Sequence, residues 1–462
     1  MDRRFFLQSG LASLTLGATA PAMGQGINVL ANMANSASNI SDYKTLVCVN
    51  LKGGADTLSL FIPTSSSGLT AYRNIRNNLT YEQAGVKLWE PSNQTLDSYG
   101  MPNFMDSFTE MFTQNKLSLV ANVGPLREPT TLDQIQVNDA ILPPFFASHS
   151  DQEKLWQTGF VNLGEKSGWG GRIIEAMNAN SSAIPNNISL GRATKFIRGQ
   201  ELNPFSVNTQ DIQNMDLYVN VGNQTDNMQR TIFDRLQNAS RRNLFADTYN
   251  RVANSAMDNN KILGAALDAT QRLAVDYPTS VNNVFVDGEL SRLTDQFKRA
   301  AQLIEIAPTL GQHRQVIFIE MNAFDTHDNQ NATFPALMQA LGESLLAFQA
   351  DLEARGIDDR VVTFTQSEFG RTMTINSNGT DHGWGGHQFV MGTPVNGGQV
   401  IGALPEYQLG SRDVYQNTII PQFSVEQYAG NLAKWFGLSA SQITDVFPTY
   451  GRFDDVDFGL FS

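Results

Sequence analysis

The stretch Thr-Leu-Val-Cys-Val-Asn-Leu, residues 45–51, is followed directly by Lys-Gly-Gly-Ala-Asp-Thr, residues 52–57. A nearly continuous apolar run of this length is typical of a strand that is buried on both faces of a parallel sheet. The glycines and polar residues after it predict a tight loop at the end of the strand.

Similar apolar runs alternate with helix-like segments along the rest of the chain. The strand-like runs are residues 117–123, 187–190, 315–320, 361–365 and 389–392, and the helix-like segments are residues 104–114, 150–158, 170–179, 334–354 and 425–436. This alternation predicts an α/β fold, a three-layer α/β/α sandwich with a mainly parallel sheet. We expect one such domain over residues 43–462, with a helical, Asn- and Gln-rich insertion around residues 200–290.

Acidic and histidine side chains follow three of the predicted strands. Asp56 follows residues 45–51, Asp325 and His327 follow residues 315–320, and Glu368 follows residues 361–365. The carboxyl ends of parallel strands share one edge of a sheet, where ligands bind. Carboxylates and imidazoles are ligands of divalent metals, so these residues predict a metal site. For Asp325 and His327 the alternative is a helix-entry turn with a surface histidine.

Three of the five histidines lie within residues 325–387, namely His327, His382 and His387. His382 stands in Gly-Thr-Asp-His-Gly, residues 379–383, where the flanking glycines let the backbone approach a ligand closely. We interpret His382 as a metal ligand, and Asp381 as either a ligand or a residue that orients His382. His387 is a supporting or structural residue in this interpretation, and the alternative for the whole segment is a glycine-rich surface turn.

Two residues are candidates for catalysis. Arg371 could hold an anionic group through two hydrogen bonds, or it could form a structural ion pair with Glu368. His149 lies at the start of a predicted helix, where the helix N-terminus favours an anion.

The hydroxyl groups around these motifs leave the nucleophile open. Ser150 with Glu153 three residues later predicts a capping box at the helix start. Thr57, Ser148 and Ser150 all remain possible nucleophiles. A Ser/His/Asp hydrolase is disfavoured because the chain has no Gly-x-Ser-x-Gly elbow.

The first residues predict export. Residues 2–8 fit the twin-arginine pattern, an apolar run follows at residues 11–20, and Ala20-Pro21-Ala22 offers small residues for cleavage. We therefore assign residues 1–22 to a twin-arginine signal peptide and residues 23–42 to a linker. The expected location is periplasmic or extracellular, after passage through the twin-arginine translocase. The alternative to a signal peptide is a short buried N-terminal helix. No segment approaches the length of an integral membrane span.

The formal net charge of −13 argues against nucleic acid and anionic membranes as partners. An anionic substrate would need a local positive charge, which a bound cation would supply. The single cysteine, Cys48, excludes an intrachain disulfide and is expected to be a core residue, because it lies in an apolar run.

Together these motifs resemble the bacterial family called domain of unknown function 1501. The resemblance covers residues 43–440, and its matching segments are residues 51–56, 148–149, 325–327, 367–371, 379–383 and 397–402. This family in turn looks like a divergent branch of the alkaline phosphatase and sulfatase superfamily. The resemblance implies an α/β/α sandwich with a metal site at the carboxyl edge of the sheet.

The resemblance also implies roles for individual residues. Asp56 looks like the first-strand metal ligand, Asp325 and His327 like the middle pair, and His382 like the late histidine ligand. Glu368 stands where the superfamily usually has an Asp-His pair, and this chain has Glu-Phe there.

These observations predict an exported hydrolase of phosphate or sulfate esters, or of a related anionic bond. It would depend on a divalent metal, with zinc as the first choice and manganese, magnesium or calcium as alternatives. The expected substrate is a small anionic or polysaccharide-type molecule. The alternative is a non-catalytic periplasmic or surface protein for binding or assembly, because a fold does not fix a function.

Overall fold

The computed structural model of the protein describes residues 42–95, 99–146, 148–177, 182, 184–210, 231, 235, 244–270 and 275–461. The expected signal peptide, residues 1–22, lies outside the described residues, as does the expected linker except for its last residue, Asp42. Export therefore stays a prediction from the sequence.

The strands, in chain order, are β1 (Lys44–Leu51), β2 (Ile62–Pro63), β3 (Val86–Leu88), β4 (Tyr99–Pro102), β5 (Leu117–Gly124), β6 (Asn187–Ser189), β7 (Phe205–Ser206), β8 (Arg314–Met321), β9 (Val361–Gln366), β10 (Arg371–Ile375), β11 (Thr380–His382), β12 (Gly386–Met391), β13 (Val400–Ile401), β14 (Val414–Tyr415), β15 (Thr418–Ile419) and β16 (Phe423–Ser424). In the described part of the chain, nine of them form one sheet in the order β13-β5-β12-β9-β1-β8-β6-β7, with β16 also paired to β5. Only β12 runs antiparallel to its neighbours, β5 and β9. The sheet is therefore mainly parallel, as predicted.

The helices, in chain order, are α1 (Ser66–Arg76), α2 (Asp106–Thr113), α3 (Leu132–Gln136), α4 (His149–Thr158), α5 (Trp169–Ala176), α6 (Leu244–Asp268), α7 (Val284–Ile306), α8 (Gln330–Arg355), α9 (Val425–Phe436) and α10 (Ala440–Val446). Helices α2, α7 and α8 contribute to one apolar core, and α5, α9 and α10 contribute to another. None of the helices in the described ranges is long and apolar enough to cross a membrane.

Strand β1 separates these two cores. Val47 and Val49 belong to the first core, whereas Leu46 and Cys48 belong to the second. Successive side chains of a strand point to opposite faces, so an unbroken apolar run fills a core on each side. The three-layer α/β/α sandwich expected from the sequence is thus confirmed, and Cys48 is the core residue that its apolar surroundings indicated.

The central strands place the polar loops together. β1 pairs in parallel with β8 on one side and with β9 on the other, so the carboxyl ends of all three meet at one edge. The segments that follow them carry Asp56, Asp325, His327 and Glu368. Of the predicted insertion around residues 200–290, the structure describes β7, α6 and the start of α7, and much of the remainder lies outside the described residues.

Candidate metal centre

Three side chains from three separate segments meet at this edge of the sheet. His149 is the first residue of α4, Asp325 follows β8, and His382 ends β11. Each residue offers one potential ligand atom, and these three atoms all lie within 4.8 Å of one another. Among the described residues, these three side chains form a group that could hold a metal ion. The Nε2 atoms of His149 and His382 lie 3.4 Å and 3.3 Å from the two oxygens of Asp325.

His327 completes the group that we call the histidine cluster: His149, Asp325, His327 and His382. Its Nε2 lies 2.8 Å from Nε2 of His382 and 3.1 Å from Oδ1 of Asp325. Its other nitrogen, Nδ1, lies 3.1 Å from Oδ1 of Asp381. The expectation that Asp325 and His327 face one point from a shared loop agrees with this geometry.

Glu368 supports the cluster from below. Its side chain is buried, and Oε1 accepts a hydrogen bond from the Gly53 backbone N–H at 2.8 Å and lies 2.9 Å from Nδ1 of His149. The hydrogen bond to Glu368 raises the pKa of His149. Because Nδ1–H donates to Glu368, Nε2 is the atom of His149 that is left to face Asp325.

Phe369, which stands where the superfamily resemblance leads one to expect a histidine, packs against the cluster instead. Its buried ring is stacked with the ring of His382 at 4.6 Å and lies 4.9 Å from the ring of His149. Phe369 thus restricts the orientation of both imidazoles without offering a ligand atom.

Arg371 is fully buried beneath Asp325. Besides the carboxylate of Asp325, its guanidinium donates to four backbone carbonyl groups, those of Gly53, Gly54, Phe324 and Thr380. Burial disfavours the charged form of Asp325, but the hydrogen bond and charge of Arg371 outweigh this and lower its pKa. The guanidinium therefore joins the loops of the site.

The expected contact of Arg371 with a substrate anion is not supported by this geometry, because its donors are taken up within the protein. The other expected partner, Glu368, is bonded to His149.

Gly53, whose carbonyl accepts from Arg371, has a positive φ of 122°. A Cβ atom there would lie 2.2 Å from the backbone nitrogen of Asp325, so the loop after β1 approaches that after β8 too closely for a side chain.

The structure places Asp56 elsewhere. Its carboxylate is completely buried, accepts from Arg76 at 2.8 and 3.1 Å and from Gln330 at 2.6 Å, and also bonds to Ser59. Among the described residues, Asp56 does not belong to the group of potential metal ligands formed by His149, Asp325 and His382. The geometry thus makes Asp56 the partner of a buried arginine and does not support its expected role as a metal ligand.

Asp381 supports a different histidine from the one expected. Its Oδ1 lies against Nδ1 of His327, and accepts from the side-chain amide of Asn376 at 2.6 Å. Of its two predicted roles, the geometry favours the orientation of an imidazole, but the imidazole is that of His327 rather than His382.

The hydroxyl groups near the cluster take part in structural hydrogen bonds. Ser148 is the N-cap of α4: its Oγ accepts from the backbone N–H of Asp151 and donates to the carboxylate of Asp151 at 2.7 Å. The prediction that Ser150 caps this helix was therefore wrong, because the helix begins at His149. Thr57 Oγ1 accepts from the backbone N–H of His387 at 2.8 Å.

His387 is a structural residue. Its ring is buried, Nδ1 accepts from the backbone N–H of Asn122 at 3.0 Å, and burial lowers its pKa to about 4.

The sequence did not single out Arg76, Asn376 or Gln330, which bond to residues of the predicted site. Arg76 lies at the end of an ordinary amphipathic helix, Gln330 is the first residue of α8, and Asn376 follows β10, so no motif marks them.

No curated protein sequence matches the chain. Solved structures similar to it include the PsFucS1 sulfatase from Pseudoalteromonas sp., with 10% identity and a TM-score of 0.34 over 90% of this chain and 72% of that one. Ps i-CgsB in complex with k-i-k-neocarrahexaose has 8% identity and a TM-score of 0.34, over 87% of this chain and 74% of the other. A variant of the alkaline phosphatase PafA has 10% identity and a TM-score of 0.30, over 72% and 64%. These similarities are too remote for a function to be transferred.

The sequence family described as "Protein of unknown function (DUF1501)" matches residues 43–447, which contain the entire histidine cluster. This confirms the family resemblance that the motifs predicted. The chain belongs to the DUF1501 family.

Proposed function

We propose that the histidine cluster binds a divalent cation and that the protein hydrolyses an anionic ester, of phosphate or sulfate, at that cation. The observation that carries the proposal is the convergence of ligand atoms from His149, Asp325 and His382 within 4.8 Å. Imidazole nitrogens together with a carboxylate suit zinc first, and manganese, magnesium or calcium are the alternatives.

The chemistry of the donor set fits a cation. The Nε2 atoms of His327 and His382 face each other at 2.8 Å, and both lie close to Oδ1 of Asp325. Oε2 of the buried Glu368 has no hydrogen-bond partner among the described residues. Two imidazole nitrogens and a carboxylate oxygen aimed at one small volume are the arrangement expected of a metal-binding site.

Charge explains why an anionic substrate would need the cation. Asp325, Glu368 and Asp381 bring three carboxylates to the site, and Arg371 is the arginine bonded to the cluster. Without a cation, these carboxylates oppose the approach of a phosphate or sulfate group. When bound, a divalent cation would supply Lewis acidity to the ester oxygen and to a water molecule.

The protein's own residues hold this arrangement in place and leave it open to substrate. Asp325 is about half exposed, with 46% of its side chain accessible, whereas Arg371 behind it is buried. Glu368 fixes His149, and Asp381 fixes His327, each through the ring nitrogen that points away from the cluster. A small anionic group or the charged substituent of a polysaccharide would reach the cluster from the side of Asp325.

One observation favours the alternative of a non-catalytic binding protein. Among the three candidate hydroxyls, Ser148 donates to Asp151, Thr57 accepts from the His387 backbone N–H, and Ser150 lies 3.4 Å from Ser148, so these contacts single out no side-chain nucleophile. Hydrolysis would then use water directly. A protein that binds metal and anionic ligand without turnover would instead act in binding or assembly.

The test is metal analysis of the natively purified protein, followed by titration of the metal-free protein with zinc and with manganese. We expect one cation at the cluster, and we expect Asp325→Ala and His382→Ala each to weaken its binding about 100-fold or more, since even the loss of a supporting partner costs up to that much. His313→Ala is the matched control, because this exposed histidine lies at the opposite, amino end of β8. Equal affinity in all four proteins would refute the metal site.

Assays with aryl phosphate monoesters, diesters and sulfates then separate the two functions. Metal-dependent turnover that disappears in Asp325→Ala and His382→Ala, but not in His313→Ala, supports hydrolysis. Tight metal binding without turnover of any of these substrates supports the binding protein.

A further inference from the structure

Gln330, the first residue of α8, is completely buried between the polar loops and the ion pair of Asp56 with Arg76. Both ends of its side-chain amide are bonded. Nε2 donates to Asp56 Oδ2 at 2.6 Å, and Oε1 accepts from the hydroxyls of Thr326 at 3.1 Å and Thr380 at 2.8 Å. An amide is needed here, because one end must donate to a carboxylate while the other accepts from two hydroxyls.

The two threonines lie inside the segments that carry the histidine cluster. Thr326 stands between Asp325 and His327, and Thr380 lies two residues before His382. Both threonines are buried. A displacement of either threonine would therefore move a ligand atom of the cluster, although neither threonine belongs to the cluster itself.

The backbone shows how closely the two segments are joined. The Thr380 backbone N–H donates to the Thr326 carbonyl at 3.2 Å, and the Gln330 N–H donates to the Asn378 carbonyl at 3.0 Å. A Cβ atom at Gly379 would lie 2.1 Å from the Thr326 oxygen, so the segments touch directly. Gln330 sits at this junction and joins both segments through one rigidly held side chain.

The other end of Gln330 is attached to a fixed group. Asp56 is held by both terminal nitrogens of Arg76, and neither side chain of this pair is accessible to solvent. A buried carboxylate that is bonded on several sides cannot move without losing those bonds. Asp56 therefore gives Gln330 a fixed reference at the carboxyl end of β1.

We propose that Gln330 is a positioning residue for the cation: it holds Thr326 and Thr380, and through them sets the distance between Asp325, His327 and His382. This inference rests on the proposed metal site. Partners that orient metal ligands change metal affinity by about 10- to 100-fold when they are removed. Asp56, which the sequence suggested as a ligand, supports that positioning residue here through its buried ion pair with Arg76.

The experiment compares zinc affinity with the stability of the metal-free protein. Gln330→Met removes both ends of the amide, and Thr380→Val removes one hydroxyl while it keeps the backbone carbonyl that Arg371 uses. We expect the zinc dissociation constant to rise about 10- to 100-fold in Gln330→Met and less in Thr380→Val. Tyr277→Phe is the matched control, because it removes a buried hydrogen bond to Asp351 on the same helix, away from the cluster.

A second readout separates positioning from general stability. With saturating cobalt in place of zinc, the visible absorption of the metal reports its ligand geometry. We expect this spectrum to change in Gln330→Met and Thr380→Val and to stay the same in Tyr277→Phe, even where Tyr277→Phe lowers the melting temperature more. Thr380→Val keeps the test decisive if Gln330→Met does not fold.

The outcomes for the two proposals are distinct. Wild-type affinity and an unchanged cobalt spectrum in Thr380→Val and in any folded Gln330→Met would overturn the positioning role while leaving the metal site intact. A wild-type protein that binds neither zinc nor cobalt refutes the metal site itself. In that case hydrogen exchange of the metal-free protein tests Gln330: protection of residues 322–328 and 379–383 should fall in Gln330→Met, and unchanged protection overturns its role.

Discussion

Arg371 donates to Asp325 across 2.5 Å in an asymmetric ion pair, in which the guanidinium is fully buried and the carboxylate is about half exposed. The buried partner also holds four backbone carbonyls from three segments. The exposed partner faces His327 and His382. The pair therefore links the packed interior to the side of the cluster that a substrate would reach.

We predict that Arg371→Lys lowers the free energy of unfolding by roughly 2–4 kcal/mol, because an ammonium group cannot reproduce the planar set of donors that these carbonyls use. Urea unfolding measures the loss. Arg360→Lys is the control, since Arg360 forms an exposed ion pair with Asp359 and the variant should stay within about 0.5 kcal/mol of the wild type. A variant of wild-type stability with a selective loss of kcat/KM would instead restore a direct role for Arg371 on the substrate.

Asp56→Asn should be strongly destabilising and should still bind metal at the wild-type stoichiometry. Removing one partner of a buried ion pair costs about 3–5 kcal/mol, because the charge of Arg76 is left uncompensated. Thermal unfolding and metal content at saturating zinc, measured on the same sample, check both parts. A stable Asp56→Asn protein that has lost its metal would show that Asp56 is a ligand after all.

Glu426 should make the protein less stable as the pH rises through neutrality. Burial raises its pKa from 4.5 to about 7 in the folded protein. Between these two values the folded state binds more protons than the unfolded state, so the free energy of unfolding falls as the pH rises. At about 1.4 kcal/mol per pKa unit, the contribution is roughly 3–4 kcal/mol, present below pH 4.5 and lost by pH 7–8.

The measurement is urea unfolding of Glu426→Gln and wild type at pH 5 and pH 8. The variant should gain stability relative to wild type at pH 8 and much less at pH 5. Glu406→Gln, a change at an exposed position, should show no such difference. Parallel pH profiles for wild type and Glu426→Gln would mean that Glu426 does not carry this dependence.

Export should depend on the paired arginines of residues 3 and 4. Changing Arg3 and Arg4 together to lysine is expected to leave the precursor in the cytoplasm, because the twin-arginine signal is read by a receptor and not by charge alone. Fractionation with immunodetection follows the precursor and the processed chain. Undiminished export of the lysine variant would remove the basis for a periplasmic or extracellular location.

The sequence predicted the central strands and the meeting of Asp325, His327 and His382, for a physical reason. Unbroken apolar runs such as residues 45–51 have few alternatives to a doubly buried strand, and parallel strands bring the loops after them to one edge. His149 and Glu368 were also predicted as site residues. Their contact was not, because they lie 219 residues apart and the helix that carries His149 is placed by packing.

The geometry departs from the expected roles of Asp56 and Arg371 for a common reason. A charged residue after a strand gives the same sequence pattern whether its side chain faces a ligand or a buried partner. Asp56 faces a buried partner because Arg76 donates to it, and Arg76 lies at the end of α1 without a distinguishing motif. Arg371 donates to backbone carbonyl groups, which every residue possesses, so no sequence pattern could reveal that its donors are already used.

The place of β1 in the sheet has a consequence for how the protein is made. Asn50 on β1 bonds to Glu320 of β8 and to Gln366 of β9, which come 270 and 316 residues later. At a synthesis rate of about 5–20 residues per second, both edges of this apolar strand wait roughly 15–60 s for their partners. An unpaired apolar strand is a template for aggregation throughout that time. We therefore expect the nascent chain to be most prone to aggregation until residue 366 has left the ribosome, and the proposed metal site to form only once residue 382 has been synthesised.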